Sequence, residues 1–144
     1  YVNIGRARSG GWEISADARP LERLILRCAY TRLEALDLDT GEPLMRRPKD
    51  KISGVVQWAL AKGWEAGLSA VYTGERPDMD YSGWTPQTVG LPAYTLLDAY
   101  LSFAVNPGLE LFARWENIGN VRYETVFGYG TTGSGIIAGV KVHM

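Results

Sequence analysis

Trp64-Glu65-Ala66-Gly67-Leu68-Ser69-Ala70-Val71-Tyr72-Thr73 carries the period that decides the fold. Trp64, Ala66, Leu68, Ala70 and Tyr72 share one parity, whereas Glu65, Gly67 and Ser69 fall on the other. Successive side chains of a strand point to opposite faces, so one face here is free of charge and the other is polar. The aromatic residues Trp64 and Tyr72 close the ends of the apolar face. Eight residues at about 3.3 Å each, tilted about 45°, place them roughly 19 Å apart along a membrane normal, which suits aromatic belts at the borders of an apolar band about 25 Å tall. Alanines between the rings fit lipid, which requires no interlocking packing, better than a dense protein core.

The same period recurs on both sides of this stretch. Trp12, Ile14, Ala16 and Ala18 alternate with Glu13, Ser15, Asp17 and Arg19, and Leu24, Leu26, Cys28 and Tyr30 alternate with Arg23, Ile25, Arg27 and Thr31. Ile52, Gly54, Val56, Trp58 and Leu60 follow the rule, as do Leu97, Ala99, Leu101 and Phe103, then Leu109, Leu111, Ala113 and Trp115, and finally Ile136, Ala138, Val140, Val142 and Met144. The periodicity predicts an all-β chain of about seven up-and-down antiparallel strands, each of about 10 residues, the length that crosses a bilayer at a tilt. Their expected spans are 12–19, 23–36, 51–61, 64–75, 94–105, 109–117 and 135–144.

The connections alternate as well. Tight links near Arg19–Glu22, Lys62–Gly63 and Asn106–Gly108 take turns with long ones near Asp37–Asp50, Arg76–Ala93 and Ile118–Ser134. Short periplasmic turns and long extracellular loops are the signature of an outer-membrane β-barrel. The polar parity, with Glu13, Asp17, Arg27, Gln57, Glu65, Asp98, Glu110 and Arg114, then needs water or a polar filler in a lumen. A half-exposed soluble sheet shows the same alternation with ordinary protein surface on that face.

Several function classes are excluded or disfavoured. The net charge of -1 gives no basic field for nucleic acid. One cysteine, Cys28, and one histidine, His143, leave no disulfide, no Cys/His metal cluster and no catalytic triad, so neither an enzyme nor a resident cofactor is expected. Gly5, Gly10 and Gly11 do not form a phosphate-binding glycine loop ahead of a helix. The longest apolar runs, such as Gly135–Val140, are far short of the roughly 20 residues of a spanning helix. Tyr1 opens the chain in mid-pattern, as expected of a fragment or a processed chain.

The C-terminal third supplies a more specific signal. Asn117-Ile118-Gly119, then Val121-Arg122-Tyr123, Gly128-Tyr129 and Thr132-Gly133 ahead of an alternating strand, resembles the end of TonB-dependent receptors. Leu36 through Pro48 and Tyr72-Thr73-Gly74 are similar to loop entries of the same family, so the resemblance covers essentially the whole chain. It departs where Gly119, Ser134 and Met144 replace a usual aromatic, an arginine and a terminal aromatic. The resemblance implies that residues 1–144 are the closing third of a barrel of about 22 strands, plugged in its lumen and set in the bacterial outer membrane. The implied partners are TonB, reached through an N-terminal plug outside this chain, outer-membrane lipid, a scarce small nutrient, and the barrel assembly machinery. Gly139, Val142 and Met144 would carry the last of these signals. Residues Tyr123–Gly130 with Gln87-Thr88-Val89 look most like cobalamin receptors, with ferric siderophore and haem receptors as alternatives.

Ligand candidates lie in the long loops, which carry specificity on a shared scaffold. Arg46 and Arg47 offer guanidinium groups to an anionic ligand or to lipopolysaccharide. Asp78 and Asp80 have carboxylates of the kind calcium takes, without the spacing of a calcium loop. Tyr81, Trp84 and Tyr129 supply amphipathic rings. The alternative readings are a self-contained small barrel of adhesive or structural role, with an eighth strand from Tyr1 to Arg8, and a soluble lipocalin-like ligand-binding barrel.

Overall fold

A computed structural model describes residues 5–142. Eleven strands form: β1 Ala7–Leu21, β2 Leu24–Asp37, β3 Asp50–Ala59, β4 Trp64–Thr73, β5 Arg76–Asp80, β6 Gln87–Leu91, β7 Tyr94–Asn106, β8 Leu109–Glu116, β9 Glu124–Val126, β10 Tyr129–Gly130 and β11 Gly135–Val142. The long strands make one antiparallel seven-stranded sheet in the order β1-β2-β3-β4-β7-β8-β11, each beside its predecessor in the chain. β5 pairs with β6 and β9 with β10 as separate hairpins at the long-loop end. The β1 strand begins five residues before the stretch in which alternation is visible, because Ser9, Gly10 and Gly11 carry too little side chain to show a parity.

Register turns the separate alternations into one surface. Ile14 faces Tyr30, Tyr30 faces Ile52 and Ile52 faces Tyr72 across β1 to β4. Leu68 faces Ala99, Ala99 faces Trp115 and Trp115 faces Ile136 across β4 to β11. Every charge-free parity therefore falls on the same side of the sheet, since directly opposed residues share a face. Rings collect at both ends of that face. Near the tight turns Trp64 and Phe103 lie 4.6 Å apart with Trp58 in the same zone. Near the long loops Trp12 meets the edge of Tyr30 at 4.9 Å, Tyr72 aligns with Tyr30 through Ile52, and Trp115 lies at the long-loop end of β8.

The opposite face is an ionic wall. Arg27 pairs with Asp17 at 3.5 Å, Lys141 with Glu110 at 3.2 Å and Arg114 with Glu116 at 3.3 Å, while the Tyr100 hydroxyl donates to Glu65. Two glycines on this face lie under rings: a side chain at Gly67 would strike Tyr100, and one at Gly139 would strike Phe112. Gly139 thus has a packing reason within the sheet, beside the assembly signal expected at Gly139, Val142 and Met144. Met144 lies outside the described residues.

The molecule has almost no core of its own. Ala35 and Leu91 are the buried apolar residues among those described. The accessible surface is 10737 Å² for a mass of 15.9 kDa. A compact soluble chain of that mass would expose roughly 7,400 Å². The excess belongs to the apolar and polar faces of an open sheet. Its end strands β1 and β11 do not pair with each other, so the sheet closes neither into a small barrel nor into a lipocalin-like one. Arg8 belongs to β1 and not to an eighth strand, and Tyr1–Ile4 lie outside the described residues.

Candidate functional site

Three segments meet at the long-loop end: residues 38–49, the β5–β6 hairpin, and residues 117–134. Their junction is Asp78, which is fully buried. One carboxylate oxygen accepts from Arg46 Nε at 2.7 Å and the other from the Phe127 amide at 2.7 Å. Arg46 is further held by its own amide, which donates to the Pro77 carbonyl at 2.8 Å. It sits in the left-handed region with φ 60°, a conformation that costs a non-glycine residue about 1 kcal/mol or more and is kept only where surroundings dictate it. Burial pushes the Asp78 carboxyl up, but the Phe127 amide and the Arg46 guanidinium outweigh it and hold the group below its ordinary value.

A second tie runs alongside the first. Arg76, buried, donates to the Glu124 carbonyl at 2.5 Å and lies 5.4 Å over the Tyr94 ring, which in turn stacks on Tyr123 at 4.3 Å. Asn117 then anchors the last long loop. With φ 48°, it receives the Val121 amide on its side-chain oxygen and donates from its side-chain nitrogen to the Val121 carbonyl, each at 2.9 Å. Its own amide donates to Asp98 at 2.8 Å, so the loop is fastened to the sheet wall at β7.

The junction creates a cleft of about 530 Å³ lined by Arg46, Asp80, Tyr81, Ser82, Phe127 and Tyr129, among others. Candidate residues that are far apart in sequence thus converge: Arg46, Asp80, Tyr81 and Tyr129 share this one wall, with Asp78 beneath it. Tyr81 and Tyr129 are more than two-thirds exposed, so their rings are open to a ligand. Asp80 accepts from the Ser82 amide at 2.7 Å, and that bond holds its carboxyl below the usual range. Asp78 and Asp80 do not converge on a shared point, the former being spent inside the junction. Arg47 diverges from Arg46 and lines a separate cleft of about 580 Å³ with Lys49, Glu42 and Glu75. Trp84 stands fully exposed at the tip of the β5–β6 hairpin.

Arg76, Tyr94 and Asn117 were not among the sequence candidates. Asn117 carried a signal in the Asn-Ile-Gly turn; the burial of Arg76 depends on the Glu124 carbonyl, supplied by another loop, which no local pattern reports.

A family model described as TonB dependent receptor-like, beta-barrel matches residues 1–118. The chain belongs to that family, whose members are bacterial outer-membrane proteins. Among solved structures, the ferripyoverdine receptor of the outer membrane of Pseudomonas aeruginosa, bound to ferripyoverdine, superposes with a TM-score of 0.80 at 17% identity, over 94% of this chain and 19% of that one. The ferric-catecholate import receptor Fiu from E. coli K12 gives 0.81 at 20% identity over 96% and 21%. The siderophore receptor PiuA from Acinetobacter baumannii gives 0.76 at 17% over 94% and 22%. The chain therefore spans about a fifth of the length of these receptors, and the likeness at such identity is one of fold.

Proposed function

We propose that this chain forms part of the wall and three extracellular loops of a receptor that takes up a ferric siderophore with energy delivered through TonB. The observation that carries the reading is the cleft at the loop junction, where Arg46, Tyr81 and Tyr129 offer a cation and two open rings to one ligand. Guanidinium and phenol groups suit an anionic chelate with flat aromatic or conjugated parts. Membership of a receptor family and the siderophore receptors among its structural neighbours support the same choice. The resemblance of residues 123–130 to cobalamin receptors falls on a wall of the same cleft, which makes cobalamin the competing ligand.

The test is direct binding to the full-length receptor in detergent, with a ferric catecholate, ferripyoverdine, haem and cobalamin compared side by side. Saturable binding of a ferric chelate that weakens about tenfold in Tyr129→Ala, the loss of one open ring that the Asp78 junction does not use, is expected. Binding of cobalamin with no ferric chelate bound would replace this reading by the cobalamin one.

A further inference from the structure

On the lipid-facing side of β1 and β2, beyond the ring pair of Trp12 and Tyr30, the sheet carries a notch of about 450 Å³ bounded by Arg8, Gly10, Trp12, Arg32, Glu34 and Leu36. Register settles the face, since Trp12 opposes Arg32, Gly10 opposes Glu34 and Arg8 opposes Leu36, all in the parity of Ile14 and Tyr30. From the ring row, two residues to Arg32 and four to Arg8 rise roughly 5 Å and 9 Å along the membrane normal. That height falls in the headgroup layer, several Å deep, just outside the hydrocarbon.

Charge and shape both point outward. Arg8 makes no hydrogen bond or ion pair among the described residues. Arg32 shares Asp50 with the Tyr30 hydroxyl at 3.3 Å and remains about half exposed. Glu34 and Asp50 are the acidic groups that face the notch from β2 and β3, and the Tyr30 hydroxyl donates to the latter at 2.5 Å. The notch exists because Gly10 has no side chain, although a side chain there would meet nothing within 4 Å and its φ is not positive. Neither packing nor backbone conformation requires glycine at this position. Below the arginines the surface turns apolar at once, through Trp12, Ile14 and Ala16.

We propose that this notch seats the phosphate of an outer-leaflet glycolipid between Arg8 and Arg32, with an acyl chain running down over Trp12 and Ile14. Guanidinium groups bind phosphate bidentately, and an anion held above an aromatic ring and an aliphatic strip is the outline of an amphiphile, not of a free ion. The site shares no lining residue with the loop-junction cleft and is independent of the ligand proposed there.

The experiment uses the full-length receptor extracted from outer membranes and compares retained glycolipid by native mass spectrometry. Arg8→Glu, which breaks no contact among the described residues, and Gly10→Phe, which fills space open among them, are expected to reduce retention about tenfold each, while ferric-chelate binding stays unchanged. Rebinding of a bisphosphorylated lipid A to delipidated receptor is expected to raise its thermal midpoint, and the dephosphorylated lipid is expected to fail. Undiminished retention in both variants would overturn the proposal. So would equal rebinding of the dephosphorylated lipid, or a midpoint rise matched by inorganic pyrophosphate alone.

Discussion

Asp78 concentrates the chemistry of the extracellular end in one side chain. Asp78→Asn keeps the volume but removes the charge that faces Arg46, and it leaves a buried amide where two acceptors are needed. The expected cost is about 1–3 kcal/mol of local stability, read as faster amide exchange at Phe127 and Gly128 with the sheet unaffected. Its pH dependence follows from a folded pKa lowered below the ordinary 3.8. The unfolded loop binds the proton more readily, so the tie is at full strength above that value and fades as pH falls through the lower folded one. A titration of the Phe127 amide resonance should be flat from neutral pH down to the ordinary carboxylate range and move only below it. At this scale the sequence was least informative. Asp78 reads as a solvated loop acid until Arg46 and Phe127, 32 and 49 residues away, are brought to it.

Strands were the legible level. Residues 64–73 and their repeats show the wall because the pleat converts parity directly into face, and lipid on one side tolerates no charge. The hairpins β5–β6 and β9–β10 stayed hidden, since Arg76-Pro77-Asp78-Met79-Asp80 is five residues long with only Pro77 and Met79 on its uncharged parity, and its polar groups are satisfied by other loops. The wall assignment makes a sharp contrast. Leu68→Arg, on the apolar face between the ring rows, should cost about 2–4 kcal/mol, whereas Gln57→Arg on the ionic face should cost far less. Urea midpoints of the full receptor in detergent check both. Equal losses would contradict the assignment, and a larger loss for Gln57→Arg would mean that the faces are reversed. Asn117→Ala tests the loop anchor in the same way: it should speed proteolysis within residues 118–134 and leave the barrel's heat-dependent gel shift intact.

Taken whole, the molecule is an open sheet with two unpaired edges and almost no interior. Exposed edges of long strands invite pairing with other chains. The isolated 144-residue chain is therefore expected to self-associate in detergent and to show no heat-dependent gel shift, a monomeric shifted band being the contrary result. Family membership was readable from the order of small motifs such as Asn117-Ile118-Gly119, while the ligand was not, because the cleft is made of segments whose meeting depends on the wall between them.

The tie at Asp78 also bears on how such receptors can diverge. A loop that served only its own ligand contact could be exchanged freely among relatives. Here residues 38–49, β5–β6 and residues 117–134 each leave a partner stranded if replaced singly: a buried carboxylate without Arg46, or a Phe127 amide without its acceptor. Specificity at this end should therefore be inherited as a block. Recombination between related receptors would succeed when it carries all of these segments together and fail when a crossover falls among them.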